Sequence, residues 1–174
     1  MRILVLVWLM LMSALAVADD NAHDQGGCDK YPWDMNREWS LMVTDPIPFK
    51  SATAIDPEAH ETPKDRRMHY ALHPVDQVKL GVPSDKAESG KTYAGMSPLH
   101  VPFSTRFRVS SSKPVWIDVV GPNGALPAAK FAMRLGCERL VKTVVFKLDI
   151  DTDYWLQITG SKDPMVELLI TMDR

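Results

Sequence analysis

The sequence predicts a mainly β protein, an antiparallel β-sandwich of jelly-roll or immunoglobulin-like kind carrying one short N-terminal α-helix. Three observations lead there. The second half of the chain is built from runs of alternating apolar and polar residues, as strands with one buried face require. Turn residues punctuate those runs every 8–12 positions or so, as at Gly121-Pro122-Asn123-Gly124. No long helical pattern lies between them, so a βαβ arrangement is disfavoured.

The chain has 174 residues and opens on a leader-like stretch. Arg2 supplies a positive start, Ile3 to Met12 is unbroken and apolar, and Ala16-Val17-Ala18 is a small-residue processing site. These are the parts of a secretory signal over 1–18, cut after Ala18. The apolar run is about half the roughly 20 residues a spanning helix needs, so no membrane span is expected after cleavage. The polar, glycine-bearing stretch 19–27 reads as a mobile arm. Residues 28–174 are then a usual size for one domain.

Two cysteines occur, Cys28 and Cys137. Export permits oxidation, so a bridge between them is expected. Closing a loop of about a hundred residues contributes about 4–5 kcal/mol in the chain-entropy description. The charges nearly cancel, with 20 basic and 22 acidic residues and no block of one sign, which gives no footing for a nucleic-acid partner.

From the N-terminus, Met35, Trp39 and Met42 recur at spacings of four and three between Trp33 and Val43. This predicts an amphipathic helix with Asp34 as N-cap. Asp45-Pro46-Ile47-Pro48 ends it, because a proline disfavours helical geometry in the residue before it. Ser51 to Arg67 reads as a long surface loop. Met68–Leu72, Val75–Val82 and Thr92–Val101 read as strands. Phe107 and Val109 share one face of the next strand, and Val115, Ile117 and Val119 one face of another. Alternation continues over 139–150 through Val144, Phe146, Leu148 and Ile150. It recurs through Tyr154, Leu156 and Ile158, and through Val166, Leu168, Ile170 and Met172.

Catalytic and metal signatures fail on inspection. His69 and His73 are four apart, but Pro74 and the strand-like surroundings put them about 13 Å apart along one face, too far to share an ion. Asp149, Asp151 and Asp153 open like a calcium loop, yet Tyr154 stands where glycine is needed and Gly160 where the bidentate glutamate belongs. Ser110 and Lys113 have a Ser-x-x-Lys spacing without the helix that mechanism uses. Gly90-Lys91-Thr92 lacks the first glycine of a phosphate loop. No metal and no cofactor is therefore expected.

The best lead is aromatic. Trp116 and Asp118 oppose Val115, Ile117 and Val119, and Trp155 opposes Tyr154, Leu156 and Ile158. If those faces are outward, two indoles beside a carboxylate make a platform for a glycan or another small flat ligand. The alternative, to which the usual burial of tryptophan points, is that both are core, with the helix bearing Trp33 and Trp39 packed over that side.

Several segments carry a family resemblance: Cys28-Asp29-Lys30-Tyr31-Pro32-Trp33-Asp34, Asn36-Arg37-Glu38, Pro114 to Val120, Cys137-Glu138, Lys142 to Phe146 and Leu156 to Gly160. The chain resembles a group of small secreted proteobacterial proteins of unknown function. The resemblance covers most of residues 28–174, more weakly through 51–91, and implies a periplasmic location. Some members bear the label homogentisate 1,2-dioxygenase. That activity rests on a His, His and Glu iron site, a ligand set this sequence does not assemble, so no catalytic residue carries over. The expectation is a non-catalytic periplasmic binding or interaction module using Trp116, Asp118 and Trp155. Two alternatives are an enzyme with a dispersed site, such as His69, His100 and Asp118, and a structural partner of an envelope protein docking through the helix or a strand edge.

Overall fold

The computed structural model describes residues 22–24 and 26–173; the leader expected over 1–18 lies outside them. The short helix α1 spans Asn36–Met42. The strands in chain order are β1 (Ala22–Asp24), β2 (Ile47–Lys50), β3 (Met68–Ala71), β4 (His73–Pro74), β5 (Tyr93–Leu99) and β6 (Thr105–Ser111). They continue as β7 (Trp116–Gly121), β8 (Gly124–Ala125), β9 (Lys130–Arg134), β10 (Lys142–Leu148), β11 (Tyr154–Ser161) and β12 (Met165–Met172).

The strands form two sheets, a seven-stranded one in the order β1-β9-β10-β6-β12-β3-β2 and a five-stranded one in the order β4-β5-β11-β7-β8. Alternation decides which side chains meet between them. Tyr70, Phe107, Val109, Val144, Phe146, Leu168 and Ile170 of the larger sheet share one core with Leu99, Ile117, Val119, Leu156 and Ile158 of the smaller. The β-sandwich is thus established. It departs from full antiparallel pairing at two places in the larger sheet, where β1 runs parallel to β9 and β2 parallel to β3.

Each outer face is covered by a different segment. On the larger sheet, Met35 and Met42 of the helical region pack on Leu140 and Leu169, with Trp33 and Trp39 against them. The helix therefore lies over the sheet opposite to the one bearing Trp116 and Trp155. Below it, Arg108 donates to the Asp34 carbonyl, to Glu38 and to Asp173. The Thr171 hydroxyl also donates to Glu38. Asp34 accepts the Asn36 N–H at 2.8 Å, while the cap position itself falls on Met35.

On the smaller sheet, the cover is the connection expected to be loop and strand. Val75–Gln77 is a 3-10 turn and the chain continues to Val82 outside any ladder. Its apolar residues Val78 and Val82, with Ala52 and Ala59, pack down on Met96, Val120 and Trp155. Ala22–Asp24, inside the segment expected to be a mobile arm, pairs with Ala132–Arg134. Cys28 and Cys137 are bonded, tying the start of the domain to the β9–β10 connection. No helix among the described residues is long and apolar enough to cross a membrane.

Both sheets end on strands poor in free ladder groups. β1 has three residues, and β4 and β8 have two each. β2 carries Pro48 and β4 carries Pro74, neither of which has an N–H to offer.

Candidate functional site

The alternation of β7 places Ile117 and Val119 in the core and leaves Trp116 and Asp118 on the other side of the strand. The register with β11 then sets Asp118 against Gln157 and Trp116 against Thr159. The Trp116 indole N–H donates to Asp118 Oδ1 at 3.0 Å, so the ring is held by its own strand neighbour. Trp116 is 44% exposed.

Gln157 is fully buried and all of its amide is used. Its Nε2 donates to the Val82 carbonyl at 3.0 Å and to Asp118 Oδ2 at 3.3 Å, and its Oε1 accepts from the backbone N–H groups of Gly81 and Val82 at 2.9 and 3.2 Å. Ser84 and Thr159 join hydroxyls at 2.7 Å. The covering segment is thereby clipped to β11. Gly160 lets it come closer still: its φ is +74°, and a Cβ there would lie 2.8 Å from Lys86 Cβ.

These contacts bring Lys86 to the rim of a cleft of about 470 Å³. Val115, Trp116 and Ile117 form one wall, and Phe131, Lys142 and Val144 of the other sheet face them. The volume falls within the usual range for small-molecule sites, roughly 300–1,000 Å³. Lys142 has the same strand parity as the core residues Val144, Phe146 and Leu148 and is 6% exposed. Its Nζ stands 4.7 Å from the centre of the Trp116 ring, a cation–π contact.

Burial shifts both charged groups towards neutrality. It pushes the Asp118 carboxyl up, against the opposing pull of the Trp116 and Gln157 donors and the Lys142 charge. It pulls the Lys142 ammonium down, with Asp118 opposing and Lys86 reinforcing.

Trp155 is elsewhere. It pairs with Val120, four positions along the ladder from the Trp116–Thr159 pair, or about 13 Å. It is 8% exposed beneath Val78 and Val82. The two indoles therefore do not make one exposed platform, because Val78 and Val82 of the segment 75–82 cover Trp155 instead of pairing in a strand. The dispersed set also stays apart. His69 lies 3.4 Å from Glu167 on the larger sheet, and His100 lies 3.3 Å from Asp153 beyond β5. No group of three or more His, Cys, Asp or Glu placed to hold a metal ion occurs among the described residues.

Sequence reasoning passed over Lys142, Gln157 and Phe131. A signal existed for the first: a lysine in the inward parity of an otherwise apolar strand. For Gln157 there was none, since its partners lie about 75 positions away. No protein-family model, curated protein or solved structure shows significant similarity to the chain.

Proposed function

We propose that the protein is a periplasmic, non-catalytic binding module whose ligand seat is the cleft beside Trp116. The observation that carries this reading is the indole itself: exposed, yet fixed by Asp118, which is in turn fixed by Gln157. An aromatic group already ordered in a cleft loses little freedom when a ligand covers it. The apolar walls favour a small organic ligand over a glycan, for which the paired indoles would have been the better surface. Export is supported by the leader-like opening and by the disulfide, which persists in oxidising compartments.

The test is a fluorescence titration of the oxidised protein with two probes of similar aromatic body, neutral N-phenyl-1-naphthylamine and anionic 8-anilinonaphthalene-1-sulfonate. At least one is expected to saturate at one per chain and to weaken by about ten-fold in Trp116→Ala, whose side chain is outside the core. If neither saturates, or Trp116→Ala binds both unchanged, the cleft is not a ligand seat.

A further inference from the structure

The molecule treats its buried cations unequally. Arg108, 5% exposed, is held by the Asp34 carbonyl, Glu38 and Asp173. Arg134, 3% exposed, donates to the carbonyls of Lys30 and Met133. Lys142 is buried to the same degree, but its ammonium makes no hydrogen bond or ion pair with any described residue; its contact is the face of Trp116. No side-chain nitrogen or oxygen among the described residues is both sealed from water and without a partner, so the Lys142 ammonium keeps contact with water through the cleft it lines.

The surroundings explain what is missing. The nearby carboxylate of Asp118 is committed to the Trp116 and Gln157 donors and lies outside ion-pair reach of Lys142. Lys86 and Lys162 also line the cleft, with Glu88 the one acid among its described lining residues, its carboxylate 3.6 Å from Lys91. The cleft therefore has apolar walls, a surplus of positive charge and an ammonium that, on a largely buried stem, meets water in the cleft and no acceptor among the described residues.

We propose that the cleft selects a small organic monoanion, a carboxylate or sulfonate on a compact apolar body, with its charged end on the Lys142 ammonium and its body against Trp116 and Phe131. This rests on the cleft being the ligand seat and adds the class of ligand. The Lys142 side chain then acts as an anion anchor, and Lys86 and Lys162 draw the anion to the mouth.

The same two probes separate this claim from the broader one. The sulfonate is expected to bind about ten- to a hundred-fold more tightly than the neutral amine, as a charge-assisted contact of ordinary strength implies. Lys142→Met is expected to remove that preference while neutral binding persists. Benzoate and octanoate are expected to displace the sulfonate from the wild type and not benzyl alcohol or octanol. The thermal midpoint of Lys142→Met is expected to be no lower than that of the wild type, since a charge partly withdrawn from water is gone; should it be lower, Lys142→Gln takes its place in the titrations. Equal affinity of the two probes for the wild type, or a sulfonate preference that survives in the Lys142 variants, overturns the anion anchor and leaves a neutral-ligand cleft standing. Failure of both probes overturns both claims.

Discussion

Gln157 donates to the Asp118 carboxylate across 3.3 Å while the rest of its amide grips the backbone of Gly81 and Val82. One buried side chain thus joins the covering segment to the residue that orients Trp116. Gln157→Leu leaves two backbone N–H groups, one carbonyl and one carboxylate oxygen short of a partner. The expected cost is about 2–4 kcal/mol, read as a lower urea midpoint, together with greater iodide quenching of Trp155 as its cover loosens. A loss below about 0.5 kcal/mol, the range of ordinary surface changes, would show that the clip is not structural.

Gly160 is the second fastening of the same segment. An alanine there adopts a left-handed backbone and meets Lys86. Gly160→Ala is expected to destabilise by about 1–3 kcal/mol and to lower affinity at the cleft mouth. Unchanged melting and unchanged probe binding would contradict the close approach.

Lys142 makes a pH prediction with a definite sign. Its folded pKa is lowered, so between that value and the ordinary 10.5 the unfolded chain holds more protons than the folded one. Stability contributed by this site therefore rises as pH rises through that window, and below it the charged lysine is a cost. The wild type should gain on Lys142→Met as alkaline pH is approached. Asp118, Lys86, Glu88 and Lys162 are common to both proteins. A gap between the two melting curves that stays constant with pH would remove Lys142 as its source.

Asp118 has the mirrored dependence. Its folded pKa is raised above 3.8, so the folded chain takes up the proton first on acidification. The cost of the buried carboxylate is present above the raised value and fades as pH falls through it. The indole N–H resonance of Trp116 should titrate with a midpoint above 3.8 and lose that step in Asp118→Asn. A midpoint at or below 3.8 contradicts the burial.

The Cys28–Cys137 bond closes a separation of 109 residues. Its loss in Cys28→Ser/Cys137→Ser should cost up to about 4–5 kcal/mol through the unfolded chain. Urea unfolding with and without dithiothreitol measures the same quantity in the wild type, and coincident curves would rule it out.

What could be read from the sequence follows from what alternation encodes. β6, β7, β10, β11 and β12 each bury one face in the sandwich core, so their period of two is visible in Val109, Ile117, Phe146, Leu156 and Ile170. β9 was not visible, because Ala132 interrupts the contrast between Phe131, Met133 and the polar side. Val78 and Val82 suggest a strand, yet they are apolar because they roof Trp155, a role that demands burial without periodicity. Half of the candidate site shared this fate. Trp116 and Asp118 could be paired from parity alone, whereas the burial of Trp155 and the neighbourhood of Lys142 depend on chain brought from far away.

The outermost strands bear on how copies of this protein behave at high concentration. An open sheet edge is a template on which another chain can zip, the usual beginning of fibril growth and of partner recruitment by strand addition. Here β1, β4 and β8 are too short to offer a useful length, and Pro48 and Pro74 blank one donor each on β2 and β4. Among the described residues the sandwich gives neighbours little ladder to extend, so pairing of another chain at these edges is disfavoured and contacts with other molecules fall to its side chains.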